Sequence, residues 1–512
     1  MVNVGRAAGA VLISIPGCRD LSPVGAIDLG LLSLIPEHLI RRYMLIPVKK
    51  SGNRLFVAMA EPFNILALDD LRLFTGCDIE PLAAGKKEIK MLIEKHFGTP
   101  EIEMVMQDLE IEPEGVESGA IPEEEFIDQA PVIRLVNLIL TRAVDEGASD
   151  IHIEPFEHFV RIRYRIDGLL GEVMNLPRKM IFPIVSRIKV MSDLDIAERR
   201  LPQDGRIPLK LPGRDIDLRI STMPTMFGEK VVIRVLNKGN VKRYNLSQLG
   251  LSGYNLKRFL GFIRASHGML LVTGPTGSGK TTTLYTALNE INTIEKNIIT
   301  VEDPIEYTLA NINQAQINEK AGITFANYLR SILRQDPDVI MIGEIRDPQT
   351  AEIAVQAAVT GHLVLSTIHT NDAPGAVTRL INMGTAPFMV ASSVTGVVAQ
   401  RLVRRICLHC RQKSKLDNKE IAFAGLAPGT SLFAGAGCAN CNFTGYKGRI
   451  AIYEVMTLLP ELQNIILQNV STEEIRQAAV SAGMITLKED GLEKAAGGLT
   501  TVKEIMRACL RE

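Results

Sequence analysis

The chain has 512 residues, too many for a single hydrophobic core, and this length predicts about three or four domains. Hydrophobic residues make up 46% and charged residues 22%, and no apolar run reaches the roughly 18 residues that cross a bilayer, so an integral membrane protein is disfavoured. The net charge of −1 also gives no sign of a nucleic-acid partner, and we expect a cytoplasmic chain that reaches a membrane only through other proteins, without direct membrane insertion.

The first hundred residues predict a small α/β domain, residues 1–100. Within it, NILALDDLRLFTG (64–76) has helical apolar spacing, with Asn64 as the N-cap and Gly76 as the stop. The following segment, 101–130, contains eleven Asp and Glu residues and no Lys or Arg. Such a segment cannot bury enough apolar surface to offset its ordering entropy, so we predict a flexible acidic linker.

Two larger domains are predicted after the linker. Residues 131–240 begin with an amphipathic helix, and FVRIRYRIDGLL (159–170) alternates apolar and polar residues, as a half-exposed antiparallel strand does; this domain is predicted to be α+β. In residues 241–512 buried strands alternate with helices, which predicts a parallel sheet that binds ligands at the carboxyl ends of its strands. The strand candidates are residues 268–273, 297–302, 338–342 and 363–368.

A phosphate-binding loop is the strongest local signal in the sequence. Residues 274–281 match the pattern GxxxxGK[ST] in full, with a buried strand before it and a helix after it. Its glycines let backbone N–H groups surround phosphate oxygens, and the helix N-terminus adds its dipole. We expect Lys280 to reach the β- and γ-phosphates of ATP and Thr281 to bind Mg²⁺. The predicted nucleotide-binding residues are Gly274, Pro275, Thr276, Gly277, Ser278, Gly279, Lys280, Thr281 and Thr282.

Acidic residues follow two of the predicted strands. Glu302, Asp303 and Glu306 come at the end of strand 297–302, where a phosphate-binding sheet places its site. After the strand 338–342 there are two candidates, Glu344 and Asp347. Asp347 precedes Pro348 and a good helix, so capping explains it. Glu344 has no such explanation, and we therefore predict that Glu344 binds magnesium or activates water.

Two histidines bracket the apolar strand LVLSTI. His362 precedes it and His369 follows it. A structural role and a role in sensing the phosphates are both open from the residues alone.

Four cysteines form two CxxC pairs, separated by residues 411–437. In a chain without a secretion signal this pattern favours metal binding over disulfides, and four thiolates suit tetrahedral Zn²⁺ in a closed, structural site. A redox or free-thiol set is the alternative. The predicted zinc ligands are Cys407, Cys410, Cys438 and Cys441.

These motifs together resemble a known family. GPTGSGKTTTL, VEDPIEY, LRQDPDVIMIGEIRD and TGHLVLSTIHTND resemble, in order and spacing, the Walker A, Asp box, Walker B and His box of the secretion-ATPase superfamily. LPQDGRI, DLRIST and GEKVVIRVL look like the preceding domain of that family. The two CxxC pairs look like those of the branch that powers type II secretion and type IV pilus extension (GspE/PilB).

The resemblance implies a fold and a set of site residues. The fold is α/β, with a RecA-like P-loop ATPase domain (241–512) that carries a tetracysteine zinc subdomain (407–441), preceded by a PAS-like α+β domain and a small N-terminal domain. Glu344 would act at the magnesium and the water. The other implied catalytic or nucleotide-lining residues are Glu302, Asp303 and Glu306 of the Asp box, His362 and His369 of the His box, and Arg206 and Arg219 of the second domain.

The resemblance also implies a function and partners. The chain would be a cytoplasmic homo-hexameric ATPase at the inner face of the cytoplasmic membrane, turning an inner-membrane platform protein, with the N-terminal domain docking to a cytoplasmic-side apparatus protein. Type II secretion and pilus extension share every motif, so both stay open. The alternatives are a DNA-translocating ATPase, which would need a basic channel and stacking aromatics, and a nucleotide-binding scaffold without turnover. The paired RLG-type motifs with which some relatives bind a cyclic dinucleotide are incomplete, because the first is not found before residue 20.

Overall fold

The structure is a computed structural model. It describes residues 11–12, 23–24, 29–86, 89–90, 92–93, 130–211, 214–237, 245–318, 321–468 and 471–510. The predicted acidic linker therefore lies outside the described residues, apart from Ala130, and so does almost all of the segment before residue 20. The chain divides into two compact units, one made mainly of residues 1–240 and the other of residues 241–435 and 447–512.

The N-terminal domain is built around a three-stranded sheet in the order β3-β4-β5. The pair β3–β4 is antiparallel and β4–β5 is parallel. The predicted helix after Asn64 is confirmed, because the Asn64 side chain accepts a hydrogen bond from the Ala67 N–H and Gly76 ends the helix in the left-handed conformation. The elements are β1 (Val11–Leu12), β2 (Pro23–Val24), α1 (Glu37–Tyr43), β3 (Leu45–Ser51), β4 (Arg54–Met59), α2 (Ile65–Thr75) and β5 (Asp78–Ala83).

The second domain is α+β, as predicted. Its sheet has six antiparallel strands in the order β8-β7-β6-β11-β10-β9. The alternation predicted for β7 is confirmed, since Val160, Ile162 and Tyr164 are buried while the arginines between them lie on the other face. The elements are α3 (Ala130–Asp145), β6 (Asp150–Pro155), β7 (Phe159–Ile166), β8 (Leu169–Pro177), α4 (Ile181–Met191), β9 (Gln203–Leu211), β10 (Arg214–Thr225) and β11 (Gly228–Asn237).

The C-terminal domain contains the predicted parallel sheet, with seven strands in the order β14-β13-β15-β16-β12-β17-β20. All four predicted strands are present, as β12, β13, β15 and β16. The elements are α5 (Gly253–Ile263), β12 (Gly268–Thr273), α6 (Lys280–Ile291), β13 (Ile298–Glu302), β14 (Asn313–Gln316), α7 (Phe325–Ile332), β15 (Val339–Ile342), α8 (Pro348–Val359), β16 (Leu363–Ile368), α9 (Ala373–Asn382), α10 (Pro387–Ser393), β17 (Val394–Ile406), β18 (Arg411–Lys415), α11 (Asn418–Ala424), β19 (Ser431–Gly435), β20 (Tyr446–Thr457), α12 (Pro460–Leu467), α13 (Thr472–Ser481), α14 (Leu487–Ala496) and α15 (Val502–Cys509).

Both faces of this sheet are covered by helices, which explains its continuous apolar strands. Met269 and Leu271 of β12 pack in a cluster with helices α8 and α9, whereas Leu270 and Val272 pack on the opposite face with α5 and α6. The six strands from β14 to β17 run parallel, so their carboxyl ends lie at one edge, and the loops that leave this edge carry the phosphate loop, the Asp box, Glu344 and His369. In the part of the chain that the structure describes, no helix combines the length and the apolar character that a membrane crossing requires.

Candidate functional site

The phosphate loop joins the carboxyl end of β12 to the first residue of α6. Gly274, Gly277 and Gly279 have φ angles of 142°, 77° and 88°, a region that L side chains rarely adopt. With glycine at these positions the chain can turn back on itself and lead directly into the N-terminus of α6. The described geometry is therefore that of an anion-binding loop, as the motif predicts.

Lys280 lies over this loop. Its Nζ donates hydrogen bonds to the backbone oxygens of Gly274 (2.7 Å) and Pro275 (3.2 Å). Burial lowers the pKa of the Lys280 ammonium, and the negative charge of Glu344 acts in the opposite direction. The lysine is thus a half-buried cation at the loop, in electrostatic contact with an acid from the end of β15.

Glu344 is the acid that the structure brings to this loop. It is only 9% exposed, and its Oε1 lies 2.5 Å from Nη2 of Arg346. Its Oε2 lies 3.4 Å from Nε2 of His369. A buried carboxylate with a cation on one oxygen and an imidazole on the other is held in place, and the prediction that placed Glu344 beside the phosphate loop agrees with this geometry. Its chemical role stays a prediction.

The two histidines lie at opposite edges of the sheet. His369, at the carboxyl end of β16, has its pKa lowered first by burial and then by the positive charge of Lys280, so the ring is neutral at pH 7 and can donate from Nε2 to Glu344. His362, at the amino end, has its Nδ1 3.0 Å from the backbone oxygen of Ala357, in α8. Strand geometry separates the two rings by about 20 Å. His362 therefore lies at the sheet edge opposite the phosphate loop of its own chain, and its predicted role stays a prediction.

The Asp box is divided between the interior and the surface. Glu302 is 3% exposed and its carboxylate accepts hydrogen bonds from the Tyr285 hydroxyl, Thr300 Oγ1 (2.6 Å) and Gln314 Nε2 (3.0 Å). Glu302 lies at the carboxyl end of β13, as predicted, with its carboxylate bonded to three donors inside the fold, and its catalytic role stays a prediction. Burial and the Glu302 contact raise the pKa of Tyr285, which keeps that hydroxyl protonated as a donor. The exposed acids of the box are Asp303 and Glu306, whose roles stay predictions.

Asp347 caps α8, as the sequence argument predicts. Its Oδ1 accepts a hydrogen bond from the Thr350 N–H (2.8 Å) and its Oδ2 accepts one from the Thr350 hydroxyl (2.6 Å). Both carboxylate oxygens of Asp347 are therefore hydrogen-bonded to the first turn of α8.

Replacing Asp347 with Ala is expected to lower the free energy of unfolding by about 1 kcal/mol, the usual effect of losing an N-cap, and to leave ATP turnover largely unchanged. Urea denaturation and steady-state turnover at saturating ATP measure the two quantities. The conservative change Asp347→Asn keeps an acceptor and should have a smaller effect on stability. Loss of most turnover in Asp347→Asn would assign Asp347 to the chemistry instead.

Arg206 and Arg219 are neighbours in the second domain. They are directly opposite each other in the antiparallel pair β9–β10. Arg206 forms an ion pair with the buried Asp217, and this contact raises the pKa of the guanidinium. The two strands therefore place both predicted arginines side by side on the sheet face opposite the apolar core, where Asp217 orients Arg206.

The four cysteine sulfurs lie within 4.8 Å of one another, and no other group of three or more His, Cys, Asp or Glu side chains that could hold a metal ion is found among the described residues. The sulfurs of Cys438 and Cys441 are 3.8 Å apart. Tetrahedral zinc with Zn–S bonds of about 2.3 Å requires sulfurs about 3.8 Å apart. The backbone N–H groups of Cys438 and Gly445 also point at the sulfur of Cys441, at 3.2 and 3.3 Å, and such donors favour a thiolate. The donor set fits zinc.

Several site residues were not predicted. Arg346 pairs with Glu344, and the hydroxyls of Thr273 and Thr370, 2.8 Å apart, tie the end of β12 to the loop that carries His369. Gln400, in β17, bonds to the phosphate loop. One sequence signal was available for Gln400, because a polar amide in the apolar run VVAQRLV requires a buried partner.

Known proteins resemble this chain over most of its length. A family model described as "Type II/IV secretion system protein" matches residues 125–507, and the MshEN domain model matches residues 20–103. The type IV pilus assembly ATPase PilB of Myxococcus xanthus is 47% identical over 491 residues, covering 94% of this chain and 87% of that protein. The type II secretion system protein E of Pectobacterium carotovorum is 47% identical over 455 residues, covering 87% and 91%. The ATPase DotB of Legionella pneumophila shares the fold, with a TM-score of 0.55 at 20% identity, covering 74% of this chain and 96% of that one.

Proposed function

The chain belongs to the type II/IV secretion system protein family and is an ATPase, and we propose that it works as a homo-hexameric motor that powers assembly of a pilus or pseudopilus. The proposal covers type IV pilus extension and type II protein secretion, because a relative of each kind is 47% identical to this chain. One observation carries it: the phosphate loop, Glu344 and His369 meet at one edge of the parallel sheet.

ATP binding is proposed to rest on the loop of residues 274–281. Its backbone N–H groups would surround the phosphates, and Lys280 would exchange its two carbonyl contacts for the β- and γ-phosphates. The Thr281 side chain is exposed at the start of α6, where its hydroxyl can bind Mg²⁺ together with Glu344. A bound magnesium ion would offset negative charge on the phosphates.

Water activation is assigned to Glu344. The carboxylate is buried, so its charge is little screened, and it can accept a proton from a water that attacks the γ-phosphate. His369 holds one of its oxygens and Arg346 the other, which limits its rotation. Asp303 and Glu306 are the remaining exposed acids that could help to hold the water.

The γ-phosphate charge is proposed to be balanced by arginines of the second domain. Arg206 and Arg219 are cross-strand neighbours, and the Arg206 side chain is 59% exposed even though it pairs with Asp217. Two adjacent guanidinium groups offer the fork geometry that suits phosphate oxygens, and an arginine in this role accelerates phosphoryl transfer. Relative motion of the domains during each cycle would then be transmitted to an inner-membrane platform protein.

The N-terminal domain is proposed to dock the motor to a cytoplasmic-side protein of the apparatus at the inner face of the cytoplasmic membrane. Helix α2 and the residues before it leave large apolar side chains uncovered: Phe63, Ile65, Leu66 and Leu73 are 71% to 85% exposed. Several large exposed apolar side chains on and beside one helix support a protein–protein contact there.

The tetracysteine cluster is proposed to hold a structural zinc ion. All four donors are protein sulfurs, so no ligand position is left open for chemistry. The ion would join the end of β17 to the turn before β20 and so support the hairpin of β18 and β19 between them.

Replacing Lys280 with Ala tests the nucleotide site directly. We expect the Kd for ATP with Mg²⁺ to rise about 10- to 100-fold, the effect of losing a charge-assisted contact, and turnover to fall with it. Equilibrium binding of a fluorescent ATP analogue and phosphate release measure these quantities. The matched control is Lys257→Ala, which replaces an exposed lysine of α5. This variant should have the ATP affinity and the turnover of the unmodified protein. Unchanged ATP binding in Lys280→Ala would remove the proposed site, and strong stimulation of turnover by single-stranded DNA would favour a DNA-translocating ATPase.

A further inference from the structure

The phosphate loop is hydrogen-bonded to β17, a strand that contains none of the ATP-site motifs. Strand β17 runs parallel to β12, with Ala399 opposite Thr273, so Gln400 lies level with the first residue of the loop. Gln400 is 2% exposed, and both polar atoms of its side chain are hydrogen-bonded. Its Nε2 donates to the backbone oxygen of Ser278 at 2.7 Å, and its Oε1 accepts from the Thr283 hydroxyl at 2.6 Å. One amide therefore joins the loop to the first turns of α6.

The loop also packs against Gln400 at two glycines. A Cβ atom at Gly274 would lie 2.3 Å from the backbone oxygen of Gln400, and a Cβ atom at Gly279 would lie 2.9 Å from its Nε2. A real side chain does not tolerate the distance at Gly274, which is to a backbone atom. Gly274 is thus required by the close approach of the Gln400 backbone as well as by its φ angle, whereas a Cβ atom at Gly279 would displace the Gln400 amide.

The bond to Ser278 has a consequence for the next N–H group. The Ser278 C=O and the Gly279 N–H belong to one planar trans peptide unit, so they point in opposite directions. Because Gln400 holds this carbonyl towards β17, the Gly279 N–H is turned away from β17. The bond from Thr283 holds the other polar atom of the Gln400 amide, and an amide turned by 180° would set its Oε1 against the Ser278 carbonyl oxygen, two acceptors facing each other.

We propose that Gln400 is a positioning residue for the nucleotide: its amide fixes the Ser278–Gly279 peptide unit so that the Gly279 N–H faces the phosphates before ATP binds. This inference rests on the proposed nucleotide site and names a further residue that sets its affinity. Gln400 does not touch the reacting atoms. Its effect is pre-organisation of the loop, which strengthens binding of ATP and ADP alike because both present phosphates to the same N–H groups.

The test is a pair of variants and their combination. Gln400→Leu removes both hydrogen bonds, and Thr283→Val keeps the shape of residue 283 but removes the hydroxyl that anchors the amide. We expect the Kd for ADP with Mg²⁺ to rise about tenfold in Gln400→Leu and about threefold in Thr283→Val. The KM for ATP should rise in the same proportions while kcat changes less than twofold. The double variant should bind ADP no more weakly than Gln400→Leu alone, because the two residues act through one contact.

Controls separate positioning from a loss of stability. Thr286 is a buried threonine of the same helix whose hydroxyl bonds only within the helix, to the Thr282 oxygen, so Thr286→Val should leave the Kd unchanged. Thr283→Ser restores the hydroxyl and should restore the Kd. Urea unfolding midpoints identify any variant that is not fully folded in the binding assay. Wild-type ADP affinity in folded Gln400→Leu, or strictly additive effects in the double variant, would overturn the proposal. Failure of the nucleotide site itself would show separately, as unchanged binding in Lys280→Ala.

Discussion

Glu344→Gln is expected to lower ATP turnover by about two to three orders of magnitude while ATP binding stays within a few-fold of wild type. The amide has nearly the same shape as the carboxylate, so the contacts around it can remain, but it cannot accept a proton from water and is a weaker ligand for magnesium. Glu344 is buried next to Lys280, so solvent screens its charge little and the loss of that charge has a large effect. Phosphate release and equilibrium binding of ATP with Mg²⁺ separate the two effects.

A glutamate on the neighbouring helix serves as the control for this substitution. Glu352 lies exposed on α8 and accepts a hydrogen bond only from Gln356 in its own helix, so Glu352→Gln should retain full turnover. Hydrolysis at the wild-type rate in Glu344→Gln would transfer the role to the exposed Asp-box acids, Asp303 or Glu306. Loss of ATP binding along with turnover would mean that Glu344 acts mainly in holding the nucleotide.

Removing the metal from the tetracysteine cluster is expected to unfold residues 407–445 before the rest of the C-terminal domain. Structural zinc binding is worth on the order of 10 kcal/mol in small zinc domains, more than the hairpin β18–β19 can supply by its own pairing. Its strands are short, and every residue of β18 is exposed. Limited proteolysis with and without a chelator, read by mass spectrometry, locates the first cleavage sites, and metal analysis counts zinc per chain.

Cysteine variants give the same test without a chelator. The double variant Cys438→Ser, Cys441→Ser should lose zinc and show the same early cleavage, whereas Cys77→Ser, at a buried cysteine outside the cluster, should keep its zinc. Unchanged protease sensitivity after complete removal of zinc would contradict the structural role. A protein that is isolated without zinc, and whose four cluster cysteines react as free thiols, would support the redox or free-thiol alternative.

Much of the fold was predictable because local patterns and tertiary structure agree in it. Strand β7 was predicted from an apolar residue at every second position, and helix α2 from a period of 3.6 residues and its two capping residues. Both kinds of signal reflect local backbone geometry, which the tertiary structure does not change here. The four central strands of the C-terminal sheet were predictable for a similar reason, since burial on both faces demands continuous apolar runs. The cluster of Cys407, Cys410, Cys438 and Cys441 was predictable from the spacing of its cysteines and the metal-binding chemistry of thiolates alone.

Site residues were predictable only in part, because sequence order does not give the direction of a side chain. Glu302 and Glu344 both follow buried strands, yet the Glu302 carboxylate faces Tyr285 in the interior while that of Glu344 faces the phosphate loop. Successive side chains of a strand point to opposite faces of the sheet, and a shift of one residue at the strand end reverses the direction of a side chain. The positions of Glu302 and Glu344 in the sequence therefore could not show that their carboxylates point to different places. His362 and His369 flank one strand, but a parallel sheet puts its two ends on opposite edges.

The sequence by itself determined the elements whose causes are local: the phosphate loop, the strands, and the cap at Asp347, since a capping residue is recognised from its neighbours. Only the tertiary structure decided which residues act together across long sequence separations. It placed His369 on an oxygen of Glu344, Arg206 beside Arg219, and Gln400 against a loop more than a hundred residues earlier in the chain. The physical reason is that strand order and register set these contacts, and both depend on packing of the whole domain.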